Sequence, residues 1–196
     1  MLPSLPSHIY LWLMWNGTCY LLIMGEISST KSVIFKFHFF LFKIYFCIIL
    51  GLWAIVNNAG IGYPGPIEWQ PVEEMKKTLE VNLWGMVNIT KAFLPLLKRT
   101  KGRVVNVASS SGRLSSPFAA AYCISKFGVE AFSDALRNEM KHFGVTVHII
   151  EPGIFKTAIT DAEKNIKYLQ RLWENLDGDT KECYGEEFYE QGMGKV

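Results

Sequence analysis

Charge is scarce in this chain and nearly balanced. Its 196 residues carry 20 Lys and Arg against 18 Asp and Glu, a formal net charge of +2. No basic run stands out, so nothing directs the chain toward a nucleic-acid backbone. The four cysteines, Cys19, Cys47, Cys123 and Cys183, lie far apart and make neither a metal-ligand spacing nor a disulfide framework. Nucleic acid and metal are therefore not expected partners. No internal repeat or low-complexity tract appears. The length allows one domain with a sizeable core and is too short for two large ones.

The scarcity is most marked in residues 1–50. They hold four formally charged side chains, Glu26, Lys31, Lys36 and Lys43, two glycines, Gly17 and Gly25, and six of the thirteen phenylalanines. Ile9 to Met24 is one apolar stretch, interrupted by Asn16 and Gly17; Val33 to Leu50 is a second, interrupted by Lys36, His38 and Lys43. Continued through Ala54, the second stretch reaches the roughly 20 apolar residues a membrane span needs. Lys43 would then sit near mid-span, where a charge is costly. No basic segment precedes the first run, as a secretory signal requires. Asn16-Gly17-Thr18 also matches a glycosylation sequon, a triplet that arises often by chance. Neither helix capping nor strand–turn order is evident here. Residues 1–50 thus read as an atypical hydrophobic segment, membrane-associated or non-native, ahead of a domain spanning 51–196.

From Gly51 the pattern becomes regular. Leu52 to Val56 is a short apolar run that ends at Asn57-Asn58-Ala59-Gly60, as a buried strand entering a turn does. Val72 to Arg99 has helical spacing, with Met75, Leu79, Leu83, Val87 and Leu94 near one face. Pro71 suits its start and Lys98, Arg99 and Lys101 its end. Arg103 to Val107 is rich in β-formers, Ser109 to Pro117 is a polar loop, and Ala119 to Phe143 reads as a helix closed by Gly144. Val145 to Ile150 is another strand, stopped by Pro152-Gly153. This alternation of apolar strands and helices predicts a parallel α/β sheet covered on both faces.

Tyr122-Cys123-Ile124-Ser125-Lys126 carries the chemistry. Residues four apart share a helix face, so Lys126 is expected beside Tyr122. A phenol, with a pKa of about 10, is a poor base at neutral pH. A neighbouring ammonium is expected to lower that value and so make Tyr122 a general acid or base for an alcohol or ketone. Ser109 lies thirteen residues earlier, at the end of the 103–107 strand. Ligands bind at the carboxyl ends of such strands, where a hydroxyl can hydrogen-bond the substrate oxygen.

The ordered series Asn57-Asn58-Ala59-Gly60, Asn82, Ser109, Tyr122-x-x-x-Lys126 and Pro152-Gly153 with Thr157 resembles the short-chain dehydrogenase/reductase family, strongly from about Gly51 to Thr160. The resemblance implies a Rossmann-like doubly wound parallel sheet, truncated at its N-terminal part. It implies alcohol–carbonyl interconversion with NAD or NADP. Tyr122 would be the acid/base, Lys126 would tune it and contact the nicotinamide ribose, Ser109 would polarise the substrate oxygen, and Asn82 would complete a proton relay through a water. Asn57, Ala59 and Gly60 would line the adenosine side; Pro152, Gly153 and Thr157 would lie against the nicotinamide end. The stretches 122–134, 151–159 and 181–186 are similar to the branch holding retinol and hydroxysteroid dehydrogenases together with D-β-hydroxybutyrate dehydrogenase. Lys156-Thr157-Ala158 favours the retinol/steroid side; Asn82-Leu83-Trp84-Gly85 and the loop with Pro117 favour the hydroxybutyrate alternative.

The glycine-rich turn with which this family holds the cofactor's phosphates has no counterpart in residues 1–50. Glycines are needed there because backbone must approach the pyrophosphate at a helix N-terminus. Two outcomes are therefore expected as alternatives: a membrane-associated dehydrogenase of a small lipophilic alcohol, in the endoplasmic reticulum rather than the mitochondrial inner membrane, or a non-catalytic truncated isoform. The resemblance further implies self-association through the two long helices. The lost strands are expected to leave an exposed sheet edge.

Overall fold

The computed structural model describes residues 8–15, 18–25 and 52–193. Among them a five-stranded sheet has the order β2-β1-β3-β4-β5. The strands are β1 (His8–Trp15), β2 (Thr18–Gly25), β3 (Ala54–Asn57), β4 (Arg103–Val107) and β5 (Thr146–Ile150). The helices are α1 (Val72–Leu79), α2 (Gly85–Thr100), α3 (Ala120–Met140), α4 (Ala162–Glu174) and α5 (Gly178–Met193).

The Rossmann-like half is present. β3 pairs with β4, and β4 with β5, in parallel, with Ile55 beside Val104 and Val104 beside Val147. These three residues face one core, which α2 closes with Leu97 and α3 with Leu136 and Met140. Ile55, Val104 and Leu97 have no exposed surface. Truncation shows on the other sheet face. There Val56 and Val105 are half-buried and His148 is exposed, so the expected cover on both faces is not found among the described residues.

Two further expectations are corrected. The first apolar stretch has strand order after all: β1 and β2 form an antiparallel hairpin, with Trp15 opposite Thr18. Only residues 16 and 17, Asn-Gly, join them, and that dipeptide between apolar runs is a strong hairpin signal. Secondly, β1 pairs antiparallel with β3, Leu11 opposite Asn57. The edge of β3 is therefore occupied, not exposed, and the sheet is mixed. The second apolar stretch lies outside the described residues up to position 51; among the described residues, no helix is long and apolar enough to cross a membrane.

The helix expected over 72–99 is interrupted. Glu80–Trp84 form a π turn between α1 and α2, closed by the Gly85 N–H donating to the Glu80 carbonyl five residues back. A π turn widens the helix by one residue and is common at functional sites. Periodicity alone does not reveal it.

Candidate active site

The end of β4 and the start of α3 build the site. Ser109 lies two residues past β4, is 8% exposed, and caps the short turn Ser110–Gly112 by accepting the Ser111 N–H at 3.1 Å. Tyr122 stands in the first turn of α3 and is half-buried. Its phenol lies within hydrogen-bonding reach of the Ser109 side chain. Lys126, one turn later and 4% exposed, donates from Nζ to the Val107 carbonyl at 2.8 Å. Its Nζ is 5.5 Å from the centre of the Tyr122 ring. The three predicted side chains are thus brought together.

The electrostatics differ from expectation. Burial pushes the Tyr122 phenol above its ordinary value, and the Ser109 hydrogen bond works only partly against it. Burial also pulls the Lys126 ammonium down to about 8. Desolvation disfavours the charged form of both groups and is the leading cause of both shifts. At neutral pH Tyr122 is therefore a proton-bearing acid.

Asn82 occupies the π turn and is 2% exposed. Its Oδ1 accepts the Ile61 N–H at 2.8 Å, and its Nδ2 donates to the Ile61 carbonyl at 2.8 Å and to Ser125 Oγ at 2.9 Å. Ser125, fully buried, donates in turn to the Tyr122 carbonyl at 2.7 Å. Sequence reasoning did not single out Ser125, although it lies inside the Tyr–Lys motif. It ties the π turn to the helix that carries Tyr122.

Asn57 requires a correction. Its Nδ2 donates to Thr90 Oγ1 at 3.0 Å and to Asn106 Oδ1 at 2.8 Å. Asn106 continues the chain to Ser133 Oγ at 2.8 Å, and Ser133 donates to the Val129 carbonyl at 2.6 Å. Thr90, Asn106 and Ser133 have no exposed surface. The Asn57 side chain thus points into the protein, where a connected polar network joins α2, β3, β4 and α3, and does not line a cofactor cleft. Ala59 and Gly60 follow on a half-buried stretch. The Pro152 carbonyl accepts the Ser110 N–H at 3.1 Å, which holds the 152–153 loop beside the Ser109 turn. Thr157 is exposed and caps the turn Ala158–Thr160 by accepting the Ile159 N–H at 3.3 Å.

A cavity of about 510 Å³ opens beside Tyr122. The 62–69 loop, the 117–119 segment and helices α4 and α5 wall it. Its lining is mainly aromatic and aliphatic, including Tyr63, Trp69, Phe118, Ile159, Leu169 and Phe188. Among the described residues that line it, none is Lys, Arg or His. The roof is held down by Trp69, Leu169, Leu172 and Trp173 and by two long-range tyrosine bonds, Tyr168 to Glu74 and Tyr184 to Glu68, each 2.8 Å.

A Tyr–Lys–Ser constellation at the carboxyl end of a parallel sheet, beside an apolar cavity, is an arrangement for moving a proton on and off an alcohol oxygen. The chain belongs to the short-chain dehydrogenase family, whose pattern matches residues 46–167. It is 52% identical over 140 residues to short-chain dehydrogenase/reductase family 9C member 7 of Bos taurus, with 71% of this chain and 44% of that protein covered. It is 50% identical over 144 residues to retinol dehydrogenase 7 of Rattus norvegicus, covering 73% and 45%. It is 45% identical over 148 residues to the mitochondrial D-beta-hydroxybutyrate dehydrogenase of the same species, covering 74% and 43%. The chain thus spans less than half the length of these relatives. A solved short chain dehydrogenase from Burkholderia cenocepacia, in complex with NADP, is similar at 30% identity and a TM-score of 0.54, covering 56% of this chain and 46% of that one.

The residues present fit one end of a nicotinamide cofactor. A Cβ at Gly60 would lie 3.7 Å from Lys126 Nζ, so a backbone without a side chain faces the ammonium expected to meet the ribose. The phosphate end does not fit. The sheet position beside β3 is held by an antiparallel strand, whose N-terminal end lies at the carboxyl end of β3. A helix N-terminus following a strand cannot arise there, and that is the element which binds phosphates in such sheets.

Proposed function

We propose that the residues around Tyr122 interconvert a lipophilic alcohol, a retinoid or hydroxysteroid, and its carbonyl, with NAD or NADP as the redox partner. When bound, the cofactor supplies the hydride exchange. Tyr122 holds the proton at its phenol oxygen, donates it to the carbonyl oxygen in reduction and takes it from the hydroxyl in oxidation. Ser109 hydrogen-bonds the same substrate oxygen, and Lys126 meets the ribose and holds positive charge behind the phenol. Asn82, tied to Ser125 and thus to α3, completes the proton relay. The observation that carries the substrate class is the cavity lining. It offers broad apolar surface, and no cation among its described residues could pair with the carboxylate of a hydroxy acid. Purified chain at millimolar cofactor is expected to turn over all-trans-retinol or a hydroxysteroid in preference to 3-hydroxybutyrate; the reverse preference refutes the substrate class.

The antiparallel hairpin beside β3 favours a second reading, a non-catalytic isoform. In either reading cofactor affinity is weak. The apolar run from Val33 supports membrane association, of the endoplasmic reticulum rather than the mitochondrial inner membrane. Failure of the chain to float with lipid vesicles refutes that association, and location with mitochondrial markers in fractionated cells refutes the choice of membrane. Self-association through α2 and α3 belongs to the same proposal, and a monomer mass in sedimentation refutes it.

A further inference from the structure

Phe118 stands just before α3 with a backbone φ of 63. A residue with a Cβ rarely adopts this left-handed conformation, because the Cβ crowds the following carbonyl. Such strain persists where the surroundings over-determine it, and it clusters at ligand clamps. Here the determinant is a backbone hydrogen bond: the Gly65 N–H donates to the Phe118 carbonyl at 2.7 Å. Gly65 has its own φ of +154, and a Cβ there would come within 2.9 Å of Leu172 Cδ1 and 3.1 Å of Gln70 Nε2. Only glycine brings the loop this close. Gln70, 6% exposed, fixes the same loop through the carbonyls of Tyr63 at 3.2 Å and Gly65 at 3.4 Å.

The pinned backbone directs the Phe118 ring to the cavity that contains Tyr122. Its centre lies 6.2 Å from that of Phe188 on α5. Phe188 packs in turn on Trp69 at 6.0 Å and on Tyr184 at 5.0 Å. One ring comes from the start of the catalytic helix and the other from the roof, and together they present a continuous aromatic surface. Glycine at position 118 would remove the strain and also the ring. Stability and ligand contact therefore oppose each other at this residue.

We propose that Phe118 is a specificity-determining residue: the Gly65 latch holds it in the left-handed conformation so that its ring, with Phe188, clamps the flat apolar body of a polyene or fused-ring alcohol. This rests on the reading of the cavity as a site for lipophilic alcohols. A short hydroxy acid has no flat body to place against the rings, so the clamp contributes nothing to it.

The test compares the full chain with Phe118→Gly and Phe118→Ala. Thermal unfolding reads the latch, and quenching of tryptophan emission by all-trans-retinol reads the clamp. Phe118→Gly is expected to unfold above Phe118→Ala, the reverse of the usual order, because only glycine is at ease at this φ. Both variants are expected to bind retinol about tenfold more weakly than wild type, the loss of a well-placed aromatic contact. Phe118→Ala unfolding at or above Phe118→Gly overturns the latch. A Phe118→Gly chain that binds retinol as tightly as wild type overturns the clamp alone. A wild-type chain that does not bind retinol overturns the substrate class, and the clamp with it.

Discussion

Replacing Lys126 by Met is expected to stabilise the fold at neutral pH. Lys126 is 4% exposed, and burial lowers its pKa from 10.5 to about 8. A displacement of that size corresponds to about 3 kcal/mol of disfavour for the buried ammonium. Methionine has nearly the same length and no charge to bury, but it leaves the Val107 carbonyl without the 2.8 Å bond from Nζ, at a cost of about 1 kcal/mol. The net gain at pH 7 is about 2 kcal/mol. The sign of the pH dependence follows from proton binding. The folded chain releases the lysine proton near pH 8 and the unfolded chain near 10.5, so between them the unfolded state binds more protons and wild-type stability rises with pH. The advantage of Lys126→Met should accordingly shrink by about 2 kcal/mol between pH 7 and pH 10. Urea denaturation of both proteins across that range measures it. A variant less stable than wild type at pH 7, or an advantage independent of pH, refutes the argument that the lysine is held against its own desolvation.

Four further outcomes are expected. Asn106→Ala removes bonds to Asn57 and Ser133 from a site with no exposed surface and should cost about 3 kcal/mol in urea unfolding, whereas Thr90→Ala, which removes one bond of 3.0 Å, should cost about 1 kcal/mol. Arg113→Ala should destabilise the fold at neutral pH and less in acid. Arg113 ion-pairs at 2.9 Å with Glu130, whose carboxylate oxygens make no hydrogen bond and whose pKa burial raises, so protonation in acid relieves the loss. Alcohol oxidation should accelerate as pH rises toward and beyond 10, because the raised Tyr122 pKa keeps the phenol protonated below that; a flat profile refutes the base role. Isothermal titration with NADH and NADPH should show millimolar affinity or weaker, since losing two of the phosphate's hydrogen bonds at roughly 1.5–3 kcal/mol each removes two to four decades. Micromolar binding would mean that residues 1–50 form a phosphate site.

What could be read from the amino-acid order was local. Tyr122 and Lys126 share one helix, so their four-residue spacing sufficed to predict their proximity. Ser109 could be placed because an apolar strand ending in a polar loop defines the carboxyl edge of a parallel sheet. The hairpin is equally legible, since Asn16-Gly17 separates two apolar runs and such a dipeptide signals a tight turn as readily as an interruption. The inward turn of Asn57 was not legible: it depends on Thr90 and Asn106, brought beside it from 33 and 49 residues away. The same holds for the phenol's raised pKa. Residue types predicted that Lys126 would lower it, but the burial that governs both groups comes from packing the loop and helix around them.

Turnover of all-trans-retinol by wild type and Tyr122→Phe, at millimolar NAD or NADP and with retinol binding measured in parallel, tests the central claim most directly. The account predicts that wild type forms retinal and that Tyr122→Phe binds retinol normally yet forms none, because only the proton-transfer group is lost. Near-normal turnover by Tyr122→Phe would contradict it, and so would a wild-type chain that turns over no alcohol at any cofactor concentration.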